Sequence, residues 1–299
     1  MVILTQLYNF AEFNNFSDLK IFSGKKALQQ YLLQAKDAHR TIGFVPTMGA
    51  LHQGHLSLIA EAQRHNDVTI CSIFVNPTQF NDPKDLEKYP RTIDRDIELL
   101  EQANCDLLFN PEVDEIYDDH EQWHLEIGEL EHLLEGKFRP GHYQGVTQVV
   151  YKLLNIVKPD AAYFGQKDYQ QFLVIRKMVE LLSIPVQVVM CPIKRDPDGL
   201  AMSSRNVHLT AEDRQHALTL SKTLNWVANN FDISKIAILK EEAGKMITDE
   251  PGVELDYFEI ADGDSLLTAS ESSKSIVALV AAKVGKTRLI DNAVLAHGR

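Results

Sequence analysis

The stretch Thr41–Ile59 changes from strand-like to helix-like patterning, and this change constrains the fold more than any other part of the chain. Thr41–Val45 is a run of β-branched and aromatic residues, which predicts a buried strand. From Leu51 onward the apolar residues recur at three- and four-residue spacing, which predicts a helix. Gly49 lies in the turn between them, where a missing Cβ lets backbone or ligand approach closely. The pattern therefore predicts a strand, a tight turn and a helix, the repeating unit of an α/β fold.

Two histidines, His52 and His55, lie three residues apart at the start of this predicted helix and so share one of its faces. Open backbone N–H groups and the helix dipole favour an anion there, so we expect a phosphate site. Two alternatives are structural imidazoles and half of a zinc site. No Glu follows His52 as in His-Glu-x-x-His, and no nearby Cys or His completes a zinc set.

A second strand is predicted at Val68–Val75, and strand–helix–strand order implies a parallel pair with a right-handed crossover. Asn76 and Gln79 follow this strand directly. Ligands of open α/β sheets bind at the carboxyl ends of strands. These uncharged amides suit a hydroxylated small molecule, and an ordinary Asn-Pro turn is the alternative.

Further α/β units follow. Their predicted strands are Asp106–Asn110, Ala161–Phe164 and Val186–Cys191, and their predicted helices are Thr92–Ala103, Val146–Val157 and Tyr169–Leu182. Residues 112–135 are predicted as a solvated connection with a helix, and residues 136–145 as a glycine-rich loop of the kind that orders on ligand binding. Lys167 lies at a strand's carboxyl end, where it would meet phosphate, and Asp168 is placed to cap the next helix.

Asp94 and Asp96 lie in the first turn of the predicted helix Thr92–Ala103. Carboxylates are stabilised at a helix start by its dipole, which is one reading of this pair. The other is an Mg²⁺ site, because this ion takes one or two carboxylates together with phosphate oxygens.

The chain leaves the predicted sheet at the turn Asp196-Pro197-Asp198-Gly199. Met202–Arg205 follows, and its two hydroxyls and permanent guanidinium charge suit an extended phosphate chain. Beyond it we expect a small α+β domain, with helices at 211–230 and 234–247 and strands at Glu254–Ile260, Ser275–Ala282 and Arg288–Ile290. Gly285-Lys286-Thr287 imitates the end of a P-loop, but Val280 stands where the earlier glycine is required, so we reject that motif.

Composition narrows the class of protein. A chain of 299 residues suggests about two domains. The formal charge of −12 argues against a nucleic-acid partner. No apolar run approaches the ~20 residues that span a bilayer, so no membrane partner is expected. Three widely separated cysteines and no secretion signal predict a cytoplasmic protein with reduced thiols. The first ~20 residues are read as a surface extension.

Taken together, several separate segments resemble the pantothenate synthetase (pantoate–β-alanine ligase) family, which shares the His-x-Gly-His signature of the nucleotidyltransferase superfamily. They are Pro46–His55, Phe74–Phe80, Arg139–Gly145, Asn155–Gln171, Asp198–Asn206 and Thr287–Asn292. The resemblance implies a Rossmann-like domain with a parallel sheet over residues 1–193, a smaller α+β lid domain over residues 194–299, and a homodimer.

The resemblance also implies a two-step reaction with ATP and Mg²⁺. Pantoate carboxylate attacks the α-phosphate of ATP, giving pantoyl adenylate and pyrophosphate, and the β-alanine amine then displaces AMP to give pantothenate. A lid that excludes water would protect the hydrolysable adenylate.

Individual roles follow from the same resemblance. ATP binding is implied for Pro46, Met48, Gly49, Ala50, Leu51, His52, Gln53, Gly54 and His55, for Gly165, Gln166, Lys167 and Asp168, and for Lys194, Met202, Ser203, Ser204 and Arg205. His55 would be the proton donor, with His52, Lys167, Ser203, Ser204 and Arg205 as the other catalytic groups. Asn76, Gln79 and Gln171 would bind pantoate, with Gln79 also meeting β-alanine. Asp94 and Asp96 are the Mg²⁺ candidates, although Arg95 interrupts the acidic run found in some relatives.

Two other classes stay open at this point. Another adenylate-forming enzyme would share the histidine motif but need a different acceptor pocket, which the uncharged set Asn76, Gln79 and Gln171 disfavours. A catalytically silent nucleotide-binding module would be favoured by a missing His, Lys or Arg, and each of these is present.

Overall fold

The computed structural model describes residues 19–80, 83–118 and 121–297. The predicted N-terminal extension lies outside the described residues except for its last two positions. Asp119 and His120 of the acidic connection also lie outside them.

The larger part of the molecule is a parallel sheet covered by helices. Its strands are β1 (Lys20–Phe22), β2 (Ile42–Thr47), β3 (Val68–Ile73), β4 (Leu107–Phe109), β5 (Ala161–Gly165) and β6 (Gln187–Cys191). Its helices are α1 (Lys25–Asp37), α2 (Gln53–His65), α3 (Pro83–Lys88), α4 (Ile93–Gln102), α5 (Val113–Ile116), α6 (Leu134–Phe138), α7 (His142–Val157) and α8 (Tyr169–Leu181).

The strand order is β1-β4-β3-β2-β5-β6, and every neighbouring pair is parallel. The chain builds outward from β2 through β3 to β4, then returns to add β5 on the other side of β2. The order therefore reverses between β2 and β5, which is where open α/β sheets bind their ligands. The Rossmann-like parallel sheet predicted from the sequence is confirmed.

Alternate residues of strands β2 to β6 enter different cores, as expected for a sheet buried on both faces. Phe44 and Phe164 pack on one face with helices α1, α7 and α8. Val45 and Tyr163, one position away, pack on the other face with α2 and α4. Helices thus cover both faces of the sheet.

The C-terminal part is the predicted small α+β domain. It contains α9 (Ala211–Asn229), α10 (Ile236–Thr248), β7 (Val253–Asp262), β8 (Ser275–Val284) and β9 (Thr287–His297). The three strands form a separate antiparallel sheet in the order β7-β8-β9. The rejected P-loop sequence is the tight turn between β8 and β9, where Gly285 adopts a φ of 57°. The exact domain boundary at residues 193 and 194 stays a prediction.

Two predicted connections are more ordered than expected. Residues 112–135 contain α5 and a 3₁₀ helix at Gly128–Glu131, and they bury Ile116 and Leu130 in the core, so they are not simply solvated. The predicted loop 136–145 contains the end of α6, and α7 begins already at His142. Gly141 takes a left-handed φ of 78° immediately before α7, so this glycine starts a helix instead of marking a loop.

Strand β9 is also longer than the predicted Arg288–Ile290. The polar pair Asp291 and Asn292 interrupts its apolar pattern, which is why the strand predicted from the sequence ends too early. Both side chains are nevertheless buried and hydrogen-bonded. Within the described residues, no helix has both the length and the apolar character needed to cross a membrane.

Candidate active site

A cleft with a cavity of about 240 Å³ opens at the carboxyl ends of β2 and β5, where the strand order reverses. Most of the predicted site residues line it: Pro46, Met48, His52, Gly54, His55, Asn76, Gln79, Gly165, Lys167, Asp168, Gln171, Lys194, Met202, Ser203, Ser204 and Arg205. The predicted residues outside this wall are Gly49, Ala50, Leu51, Gln53, Gln166, Asp94 and Asp96. One cleft therefore combines segments that are far apart in the sequence.

The Asp96 carboxylate, which lies outside the cleft, holds the turn after β2. Gly49 and Ala50 adopt left-handed φ values of 81° and 49°, which orient consecutive backbone amides toward this carboxylate. Asp96 is 1% exposed and accepts hydrogen bonds from the amides of Ala50 (2.9 Å) and Leu51 (2.8 Å). The Thr92 hydroxyl lies 3.2 Å from each of its oxygens. Asp96 therefore fixes the conformation of the turn.

These contacts argue against the predicted Mg²⁺ site on Asp94 and Asp96. The oxygens of Asp96 are taken by backbone and hydroxyl donors, and Asp94 is exposed outside the cavity. Among the described residues, no group of three or more His, Cys, Asp or Glu side chains is arranged to hold a metal ion. The pair does not fit a protein-bound cation, because neither carboxylate faces the cleft with free oxygens.

His52 and His55 form a reciprocal cap at the start of α2. The Gly54 amide donates to His52 Nδ1 (3.1 Å), and the His52 amide donates to His55 Nδ1 (3.3 Å). A backbone N–H can only donate, so both Nδ1 atoms are acceptors and each neutral ring carries its proton on Nε2. The two rings lie 4.1 Å apart. The motif thus offers two N–H donors to a bound anion.

The same environment keeps both rings neutral. Burial, helped by the positive charge of Lys167, lowers the pKa of His52 from 6.5 to about 4. Burial and the neighbouring His52 lower the pKa of His55 to about 3. At neutral pH these groups therefore act as hydrogen-bond donors and carry no charge. A Cβ at Gly54 would lie 2.7 Å from the His52 ring, so only glycine permits this arrangement.

The segment after β3 presents Gln79, and Asn76 supports it. The Asn76 Nδ2 group donates to Gln79 Oε1 (3.2 Å) and to the Gly145 carbonyl (3.1 Å). Its Oδ1 accepts from the Tyr117 hydroxyl (2.7 Å) and from Thr78. Asn76 is 1% exposed, so its polar atoms are already satisfied within the protein. Asn76 orients Gln79, whose Nε2 lies 2.9 Å from Met48 Sδ.

The turn after β5 brings Lys167 and Asp168 to the opposite wall as a 3₁₀ helix. Asp168 occupies the N-cap position of α8, as predicted, but its side chain makes no capping hydrogen bond and is exposed to the cleft. Removal of water opposes ionisation of its carboxyl, but the charges of Lys167, Arg205 and Arg139 outweigh this and hold its pKa below the usual range. The carboxylate is thus available for hydroxyl groups of a ligand.

The segment Met202–Arg205 closes the cleft from the C-terminal side. The Ser203 hydroxyl accepts from the Arg205 amide (3.3 Å) and starts a 3₁₀ helix at Ser204–His208. Arg205 is exposed, and its charge acts on Asp168 across the cleft. The hydroxyls and the guanidinium therefore face the same space as the histidine pair.

Sequence reasoning did not single out Tyr89, Arg139 or His142, which also line the cleft. Burial raises the pKa of Tyr89, against the effect of a hydrogen bond with Ser204. His142 Nδ1 donates to the Gln79 carbonyl (2.9 Å), and Arg139 contacts His142 Nε2 at 2.9 Å. Burial and Arg139 lower the pKa of His142 to about 4. Arg139 and His142 fall in the segment Arg139–Gly145 that resembles the family, whereas no sequence pattern pointed to Tyr89.

A family model described as pantoate-beta-alanine ligase matches residues 20–294. The chain belongs to the pantoate–β-alanine ligase family. It is 47% identical to the pantothenate synthetase of Thermotoga petrophila over 282 residues, which are 93% of this chain and 100% of that protein. It is 45% identical to the pantothenate synthetase of Bacteroides thetaiotaomicron, over 92% of this chain and 98% of that protein.

Solved structures agree with this assignment. The pantothenate synthetase of Thermus thermophilus superposes with a TM-score of 0.86 at 39% identity, covering 93% of this chain and 99% of that one. The pantoate-beta-alanine ligase of Francisella tularensis, complexed with beta-gamma ATP and beta-alanine, has a TM-score of 0.77 at 37% identity, covering 94% of this chain and 99% of that one. The family resemblance and the two-part fold expected from the sequence are confirmed.

Proposed function

We propose that this member of the pantoate–β-alanine ligase family joins pantoate to β-alanine at the expense of ATP. The products are pantothenate, AMP and pyrophosphate, and pantoyl adenylate is the intermediate. The observation that carries the proposal is one cleft that combines phosphate-binding groups with uncharged amides. His52, His55 and Lys167 suit the triphosphate, and Gln79 and Gln171 suit the hydroxylated acid.

In the first step a pantoate carboxylate oxygen attacks the α-phosphorus and pyrophosphate leaves. Such a displacement needs alignment and charge stabilisation more than covalent help. The Nε2 protons of His52 and His55 donate to phosphate oxygens, and Lys167 and Arg205 neutralise the departing pyrophosphate. Ser203 and Ser204 add hydroxyl donors from the opposite side.

In the second step the β-alanine amine attacks the carbonyl carbon of the adenylate, and AMP leaves. Gln79 lies between the acid and amine positions, held by Asn76 on its side chain and by His142 on its carbonyl. Its amide can therefore contact both substrates without carrying a charge that would compete with phosphate. In the first step His55 serves as the proton donor to the departing pyrophosphate, once bound phosphates, which favour the charged imidazole, raise its pKa.

We assign Mg²⁺ to the substrate, as an ion carried by the ATP phosphates. This ion keeps several water ligands and uses substrate phosphates in preference to an all-protein cage. The involvement of Asp96 in backbone hydrogen bonds supports this assignment.

Cytoplasmic location and a homodimer complete the proposal. The buried, unpaired thiols of Cys71, Cys105 and Cys191 support a reducing compartment. Burial raises the pKa of Cys105 to about 12 and that of Cys191 to about 11, which keeps these thiols unreactive. Light scattering on the purified protein measures the oligomeric state, and a monomer at micromolar concentration would contradict the dimer.

The function is tested by product release from ATP, Mg²⁺ and pantoate, with and without β-alanine. We expect a single burst of pyrophosphate, equal to the enzyme concentration, without β-alanine. With β-alanine we expect steady release of pyrophosphate and AMP. ATP consumption without pantoate, or no ATP consumption at all, would contradict the substrate assignment.

A further inference from the structure

Asn292 of β9 crosses from the C-terminal domain and holds the turn that carries Lys167. Its Nδ2 group donates to the carbonyls of Gln166 (2.9 Å) and Lys167 (3.0 Å). Its Oδ1 accepts from Gln166 Nε2 (3.0 Å). Asn292 is 2% exposed, so water does not share these contacts. One side chain therefore fixes two successive peptide groups at the phosphate-facing end of β5.

The neighbouring residue, Asp291, holds a second segment of the cleft. It is 4% exposed and forms a bidentate pair with Arg195, at 2.7 Å and 3.0 Å. Arg195 belongs to a short hairpin in which the Asp196 amide donates to the Leu200 carbonyl (2.8 Å). This hairpin leads directly into Ser203–Arg205, and the Met202 amide closes it onto the Lys194 carbonyl (3.0 Å).

The two residues also support each other, because Asp291 Oδ1 accepts from the Asn292 amide at 2.8 Å. We propose that Asp291 and Asn292, here called the β9 anchor, are positioning residues that set the distance between the Lys167 turn and the Ser203–Arg205 segment. The inference rests on the proposed function, because it assigns those two segments to the phosphates of ATP. Neither residue lines the main cleft, so the proposal gives a positioning role to a buried polar pair.

This anchor acts selectively on the nucleotide side of the cleft. The pantoate side is built differently, since Asn76 and Gln79 are held by Tyr117 and by the Gly145 carbonyl, all within the parallel-sheet domain. A disturbed anchor therefore displaces the phosphate-binding groups and leaves Asn76 and Gln79 in place. This asymmetry separates positioning from a general loss of stability, which would affect both substrates.

Asn292→Asp tests the anchor with a side chain of almost the same shape. The substitution places a carboxylate oxygen against the two carbonyl oxygens that Nδ2 now contacts. We expect the KM for ATP to rise about tenfold or more, the scale of one lost buried hydrogen bond. We expect the KM for pantoate to stay within about twofold. Asn292→Ala, which leaves room for water, should raise the KM for ATP less, by about fivefold.

Asp264→Asn is the matched control. It removes the Arg176–Asp264 ion pair (2.8 Å), which also joins the two domains but lies exposed and outside the cleft. We expect both KM values to stay at wild-type level in this variant. Thermal unfolding of each variant is measured in parallel, and isothermal titration with ATP gives an affinity that does not depend on turnover.

The outcomes are distinct. Weaker ATP binding in Asn292→Asp, with unchanged pantoate KM and a folded protein, supports the anchor. If Asn292→Asp does not fold, Asn292→Ala decides by the same ratio of KM values. Equal changes in both KM values, or wild-type ATP affinity with a lowered thermal midpoint, overturn the anchor. An inactive wild-type enzyme would instead contradict the proposed function.

Discussion

Replacement of Asp96 by asparagine tests how the histidine turn is held. Asparagine keeps one acceptor oxygen but presents an NH₂ group to the second backbone amide, so either Ala50 or Leu51 loses its partner. A hydrogen bond to a charged group contributes about 1.5–3 kcal/mol, and a buried unpaired N–H costs about 1–3 kcal/mol. The left-handed φ of Ala50, 49°, is itself unfavourable by about 1–2 kcal/mol.

We therefore expect Asp96→Asn to lower the free energy of unfolding by about 3 kcal/mol. Urea unfolding followed by far-ultraviolet circular dichroism, in buffer with EDTA, measures this without a metal ion. Asp94→Asn is the matched control, since Asp94 lies exposed in the same helical turn. It should change the free energy of unfolding by less than about 0.5 kcal/mol and leave the Mg²⁺ requirement unchanged.

If Asp96→Asn unfolds like the wild type in EDTA while its Mg²⁺ requirement rises several-fold, Asp96 is a metal ligand and the structural role is wrong. A loss of stability in EDTA with an unchanged Mg²⁺ requirement supports the structural role. The two measurements separate the explanations because EDTA removes Mg²⁺. A loss of stability in EDTA therefore cannot come from a lost metal ligand.

Three further predictions concern the cleft. His55→Ala should leave the fold intact and slow pyrophosphate release by about 100-fold, the scale of a lost proton donor; wild-type turnover would remove His55 from the mechanism. Gln79→Ala should raise the KM for pantoate far more than that for ATP, and equal effects in steady-state kinetics would contradict a pantoate role. Burial lowers the pKa of His52 and His142 to about 4, so the unfolded chain, titrating near 6.5, binds their protons first as the pH falls. The stability that these groups contribute is therefore complete above pH 6.5 and is lost as the pH falls toward 4. Urea midpoints that stay constant between pH 6.5 and pH 4 would contradict neutral buried imidazoles.

The sequence predicted those parts of the site that depend on local order. Apolar runs placed β2 and β5, and the residues that follow parallel strands must meet at one edge of the sheet. His52 and Lys167 were therefore assigned to the same cleft correctly, although 115 positions separate them in the numbering. The change of period after the turn also located α2.

The remaining parts depend on side chains that contact distant backbone, which periodicity does not report. Asp96 binds amides 45 and 46 positions earlier in the chain. Its position in the first turn of a predicted helix indicated only stabilisation by the helix dipole or a metal ligand. Asn292 reaches carbonyls 125 and 126 positions away. Tyr117 orients Asn76 from a segment that the sequence placed in solvent. In each case the partner is a backbone group, which every residue possesses, or a side chain far along the chain. No local residue pattern can therefore identify it.

Burial keeps the histidines of the cleft neutral, and the positive charge of Lys167 acts in the same direction. Lys167, Arg205 and Arg139 already act together on Asp168, and burial together with Arg205 lowers the pKa of Arg139. Two further imidazolium charges would add repulsion in a partly desolvated space before any ligand arrives. Neutral rings with fixed Nε2 protons avoid this repulsion and still donate to phosphate. When ATP enters, its negative charge favours protonation of the same rings, so the cleft gains positive charge only when a partner for that charge is bound.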